Sequence, residues 1–151
     1  MIISVIGAGS CDEQTYKTAE DVGRIVAQRG AILITGGLGG VMEAASKGAN
    51  RAGGTVIGIL PGFSNKEANK YVTIPVTTGL SHARNVIVVR SADAVIAVAG
   101  EYGTLSEIAI ALKLGKPVVG INSWENIRGA VKADNAEDAV AKAFELAGKS
   151  R

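Results

Sequence analysis

The stretch Ser81-His-Ala-Arg84-Asn-Val-Ile-Val-Val-Arg-Ser-Ala-Asp-Ala-Val-Ile-Ala-Val-Ala-Gly100-Glu-Tyr-Gly-Thr104-Leu-Ser-Glu107 sets the architecture of the chain. It reads as helix, buried strand, glycine turn and second helix. Ala92 to Ala99 is nearly all apolar, the pattern of a strand covered on both faces. Gly100 and Gly103 then turn the backbone, and Thr104 opens the next helix. A helix start carries free N–H groups and partial positive charge, so such a turn attracts phosphate. Arg84 and Glu107 flank it with a cation and an acid/base group.

The same alternation runs outward in both directions. Ile2 to Ile6 reads as a first strand ending in Gly7-Ala-Gly9, and Ala19, Val22, Ile25 and Val26 mark a helix after it. Ala31 to Thr35 is a second strand ending in Gly36-Gly37-Leu38-Gly39-Gly40. Val41, Met42, Ala45, Ala49 and Ala52 make the next helical stripe, and Thr55 to Leu60 a third strand. Residues 62–71 are polar and read as a surface loop, with a lid as the functional alternative. Val72 to Val76, interrupted by Pro75, is an edge or irregular segment. Ser81 caps a helix to about Arg90, and Asp93 to Val98 is the buried strand. Leu105, Ile108, Ala109 and Leu112 repeat at helical spacing, and Pro117 begins a last strand, Val118 to Ile121. Asp134 with Glu137 resembles a capping box before a final helix, and Gly148 to Arg151 is expected to fray.

Strands joined by helical crossovers run parallel, so the expected fold is α/β. It is a single doubly wound Rossmann-like domain over residues 1–151, a mainly parallel sheet flanked by helices. Ligands would gather at the glycine turns after strands one, two and five.

Bulk composition narrows the function classes. Apolar residues make up 47% and charged ones 20%, which excludes a disordered chain. Aromatics are only 4%, so the core is built from Val, Ile, Leu and Ala. A net charge of +2, without basic-aromatic interleaving, argues against a nucleic-acid partner. Cys11 is the only cysteine, as expected in a reducing cytoplasm, and His82 the only histidine. A metal site is therefore not expected, nor a resident cofactor. The N-terminus lacks a basic leader, and no run reaches the roughly 20 apolar residues that cross a bilayer.

Three turns are candidate sites, each with a plainer alternative. Gly7, Gly9 and Ser10 imitate a dinucleotide fingerprint, but Asp12 stands at its third glycine and no acid ends strand two. An NAD or FAD dehydrogenase is disfavoured, and a simple tight turn is the alternative. Gly36, Gly37, Gly39 and Gly40 at a helix start form an anion nest without a Walker lysine, or only relieve crowding. Gly100, Gly103 and Thr104 with Glu107 form the third. There Thr104-x-x-Glu107 is equally a capping box that explains both residues without chemistry. Arg84 alone fits a solvated helix residue, and His82 a packing residue.

Together these segments resemble one superfamily. Gly36-Gly37-x-x-Gly40-Val41-Met42-Glu43-Ala44-Ala45, His82-Ala-Arg84-Asn85 and the 99–107 turn are similar, in the same order, to the motifs of Lonely Guy proteins. These are phosphoribohydrolases once called lysine decarboxylase-like. The resemblance spans roughly residues 3–122. Their last turn is Pro-Gly-Gly-x-Gly-Thr-x-x-Glu; here Ala99 replaces the proline and Glu101 the second glycine. With its short length, the chain looks more like the small branch of molybdenum cofactor carrier and DNA-processing-A-like proteins.

The resemblance implies catalytic roles for Arg84 and Glu107, with Gly103 and Thr104 on a 5′-phosphate. Glu107 would stabilise oxocarbenium charge as an N-glycosidic bond breaks. It also implies a homodimer or larger homo-oligomer through the 81–90 and 104–115 helices. The expected function is binding of a phosphorylated nucleotide-like small molecule at the glycine turns. The alternatives are hydrolysis of nucleoside 5′-monophosphates and carriage of a phosphate-bearing cofactor such as molybdopterin.

Overall fold

The computed structural model describes residues 1–149. Its seven strands are β1 (Ile2–Gly7), β2 (Ile32–Thr35), β3 (Val56–Leu60), β4 (Ile74–Thr77), β5 (Ala94–Val98), β6 (Val118–Ile121) and β7 (Ala130–Ala133). Its five α-helices are α1 (Glu13–Gln28), α2 (Val41–Arg51), α3 (Asn85–Arg90), α4 (Tyr102–Lys113) and α5 (Ala136–Lys149). The strands form one sheet in the order β4-β3-β2-β1-β5-β6-β7. Every neighbouring pair is parallel. The expected α/β doubly wound sheet is therefore present.

Side chains alternate between two apolar layers. Ile3, Val5, Ala94, Ile96 and Val98 face the layer formed with α1, α2 and α5. Ile6, Val95 and Ala97 face the layer formed with α3 and α4. β5 is buried at all five residues, which explains its unbroken apolar run. Chain order reverses at β1: β2 lies on one side of it and β5 on the other. The carboxyl ends of β1 and β5 therefore open a crevice.

The α1–α2 contact depends on two glycines. A Cβ on Gly23 would lie 2.0 Å from the Ala45 carbonyl oxygen, and one on Gly48 1.9 Å from that of Glu20. Tyr16 ties the same helices together by donating to Glu43 Oε1 at 3.0 Å.

Several local expectations are corrected. Residues 81–84 form a 3-10 turn ahead of α3, and Ser81 has φ 52° within it rather than capping a helix. β7 extends the sheet beyond the expected last strand and pairs with β6 through Val118↔Ala130. The final cap lies one residue later than expected. Asn135 Oδ1 accepts from Asp138 N at 2.9 Å, and Asp138 Oδ2 accepts from Asp134 N at 3.1 Å. Helix α5 includes Gly148 and Lys149, so that part of the expected frayed end is helical, and Ser150 and Arg151 lie outside the described residues.

The 62–71 segment holds only a 3-10 turn, Asn65–Glu67. The β3-to-β4 crossover thus brings no α-helix to cover the sheet edge, and Ile74 and Val76 of β4 stay 47% and 39% exposed. The segment is fastened rather than loose. Asn69 donates from its backbone N to the Gly37 carbonyl at 2.9 Å and from its side chain to the Leu38 carbonyl at 2.9 Å.

Candidate functional site

A cavity of about 300 Å³ opens at the crevice between β1, β2 and β5. The turn after β1 contributes Gly7, Gly9 and Ser10, and the turn after β2 contributes Gly36. Glu101, Gly103, Thr104 and Glu107 come from α4 and its approach. His82, Arg84 and Asn85 close the remaining side. The structure thus brings together residues from all three predicted turns and the 82–85 segment.

The other predicted glycines stand behind the cavity. Gly40, at φ 60°, lets the start of α2 approach the first turn: a Cβ there would lie 2.3 Å from the Ala8 carbonyl oxygen. Val41 N donates to that oxygen at 3.0 Å, joining the two turns. Gly37 packs on Leu60 and Gly58, and Gly39 faces the Gly9 carbonyl. Gly100, at φ 109°, leaves room for Thr104, whose Oγ1 would be 2.4 Å from an added Cβ. Asp12, the misfit in the dinucleotide fingerprint, is the N-cap of α1, its carboxylate accepting from Thr15 N at 2.7 Å.

Helix α4 begins at Tyr102, two residues before Thr104, and its N-cap Glu101 makes no side-chain cap. The expected Thr104–Glu107 capping box does not form. Both side chains instead lie one turn apart on the buried side of α4, 3% and 7% exposed, in the cavity wall. Burial pushes the Glu107 carboxyl up to about 7, against the opposing influence of Arg84.

Arg84 is not the solvated helix residue of the plain alternative; it is 8% exposed. Its Nη2 donates to the Gly36 carbonyl at 3.4 Å, and its Nη1 donates to Asn85 Oδ1. Its Nε is buried without a partner. Burial lowers its pKa from the usual arginine value, opposed by the charge of Glu107. A guanidinium stays protonated in proteins, whereas a carboxyl near 7 is only partly ionised at neutral pH. The cavity therefore holds a cation that its neighbouring carboxyl incompletely balances.

Two contributions escaped the sequence reading. Asn85 orients Arg84, and only its place in the His82-Ala-Arg84-Asn85 segment hinted at a role. Asn69 fixes the second glycine turn from a loop with no motif at all. Among the described residues no cluster of three or more His, Cys, Asp or Glu side chains suits a metal, and no helix is long and apolar enough to cross a membrane.

The chain has parallels among known proteins over nearly its whole length. An uncharacterised protein of Archaeoglobus fulgidus is 51% identical over 140 residues, covering 93% of this chain and 92% of that one. The molybdenum cofactor binding protein of Rippkaea orientalis is 37% identical with a TM-score of 0.91, covering 96% of each chain. The Moco carrier protein of Chlamydomonas reinhardtii is 38% identical with a TM-score of 0.88, covering 98% of each. The family model of the SLOG cluster4 family matches residues 1–147, nearly the whole sequence, and this chain belongs to that family.

Proposed function

We propose that this protein binds and carries a phosphate-bearing small molecule of nucleotide or pterin type in the β1–β2–β5 crevice. The observation that carries the reading is Arg84: a buried cation in the cavity wall, with one donor unpaired and a neighbouring carboxyl held toward neutrality. Such a charge needs an anionic partner. The α4 N-terminus and the first glycine turn supply backbone N–H groups at the same crevice, the usual complement to phosphate. Similarity to proteins that bind or carry molybdenum cofactor supports carriage as the use of this site.

The test is calorimetric titration with ribose 5-phosphate, followed by gel filtration of the protein mixed with molybdopterin cofactor released from a molybdoenzyme. Binding and co-elution are expected, with both lost in Arg84→Met. Absence of any phosphate binding by the wild-type protein overturns the proposal.

A second reading is phosphoribohydrolase activity, favoured by the convergence of Arg84 and Glu107 on one cavity. Release of ribose 5-phosphate from AMP, abolished in Glu107→Gln, would establish it. A stable AMP complex without product would exclude it for that substrate.

The same reading includes a homo-oligomer. Leu105 and Ala109 keep apolar surface outside the core, although Ile108 and Ala111 already face it with Leu112 packed beside them. A helix apolar on both sides is suited to cover on both. A solution mass above that of one chain is expected by light scattering; a mass of 15.4 kDa would refute it.

A further inference from the structure

We propose that the exposed Tyr102–Trp124 pair is a stacking platform for the planar ring of the ligand whose phosphate occupies the neighbouring cavity. The inference rests on the phosphate-binding reading above and adds the class of group attached to that phosphate. Tyr102 is the first residue of α4 and is 80% exposed. Its two chain neighbours, Glu101 and Gly103, both line the cavity, so its backbone stands at the cavity's edge. Trp124, from the β6–β7 connection, meets it with ring centroids 5.6 Å apart and planes tilted by 41°.

The pair is held in place. Trp124 Nε1 donates to the Glu101 carbonyl at 3.1 Å, and Ser123 Oγ donates to the Ala99 carbonyl at 2.7 Å. Two hydrogen bonds thus clamp the β6–β7 connection onto the turn that shapes the cavity. Burial in the core does not explain these rings. Aromatics are 4% of the chain, and none is among its largest fully buried side chains. Large aromatics gain most by burial, and an exposed pair fixed beside a polar cavity presents a π-face to a flat partner. Nucleobases and pterins have such a face; a bare sugar phosphate does not.

Trp124 is the only tryptophan, so its emission reports on the platform directly. The experiment titrates GMP and ribose 5-phosphate into wild type, Tyr102→Ala and Tyr102→Phe, reading heat and tryptophan fluorescence. GMP is expected to quench Trp124 and to bind about tenfold tighter than ribose 5-phosphate, toward the low end of base–aromatic stacking. Tyr102→Ala should erase that tenfold advantage without changing ribose 5-phosphate affinity, and Tyr102→Phe should retain it. Equal affinities with unmoved fluorescence would overturn the platform while leaving the phosphate site standing. Failure of both ligands to bind would overturn the phosphate site and the platform with it. Quenching by a single-stranded oligonucleotide but not by GMP would overturn it in favour of a nucleic-acid surface.

Discussion

The Arg84 guanidinium reaches the Gly36 carbonyl across 48 residues of sequence, with Nη2 3.4 Å from the oxygen. One contact thus joins the 82–85 segment to the second glycine turn. It also explains why residue 36 has no side chain. A Cβ there would lie 2.8 Å from Arg84 Nη2 and 2.6 Å from Met42 Sδ. Both neighbours are ends of flexible side chains, so Gly36→Ala should fold and displace the guanidinium. Stability should change by less than about 1 kcal/mol. Affinity for ribose 5-phosphate should fall at least about tenfold, the worth of a charge-assisted hydrogen bond. Calorimetry checks the affinity and urea melts the stability; unchanged affinity would detach Arg84 from binding.

Glu107 makes stability depend on pH in an unusual direction. Its carboxyl rises from 4.5 to about 7 on folding, so the folded state binds more protons than the unfolded state between those values. Its stabilising contribution is fully present below about 4.5 and is lost as pH rises through about 7. The loss amounts to about 3 kcal/mol across that window. Glu107→Gln keeps the neutral shape and cannot ionise. Urea melts from acid to mildly alkaline pH should show wild type losing stability relative to the variant. Parallel curves for the two proteins would disprove the assignment.

Gly48 tests the packing behind the site. Its α2 backbone lies against α1, where a Cβ would be 1.9 Å from the Glu20 carbonyl oxygen. Backbone cannot step aside as a side chain end can. Gly48→Ala gains about 1 kcal/mol of helix propensity, but forcing the helices apart costs more. A net loss of about 1–3 kcal/mol is expected in thermal or urea unfolding. A variant as stable as wild type would show that the helices separate freely.

β1, β2, β3 and β5 were legible because each carries its own apolar run and ends within two residues of a glycine or proline. The buried run at β5 and the stripe of α4 needed no tertiary information. β7 was missed because Ala130–Ala133 is short, includes Lys132 and is only partly buried at the sheet edge. The site residues were named from turn chemistry, but their division of labour was not readable. Gly40 and Gly100 do not line the cavity but make room for residues that do, Gly40 for the first glycine turn and Gly100 for Thr104. The Thr104–Glu107 spacing fits a cap as well as a cavity wall, and only the start of α4 at Tyr102 separates the two.

Glu101 stands where the Lonely Guy pattern has glycine, and it tests how the cavity tolerates a negative ligand. Its residue lines the cavity and caps α4 without a side-chain hydrogen bond. A carboxylate at a helix start favours the helix dipole but competes with phosphate for the same positive end. Glu101→Gln removes that competition while keeping the size of the side chain. Ribose 5-phosphate should bind several-fold tighter to the variant at low salt, about 1 kcal/mol, with the difference shrinking as salt screens it. The helix should lose no more than about 1 kcal/mol of stability. Calorimetry at two salt concentrations decides the matter. Tighter binding that fades with salt makes Glu101 an electrostatic brake on the site. Weaker binding would instead make its carboxylate a contact for a donor group on the ligand, and that variant would then lose affinity at both salt concentrations.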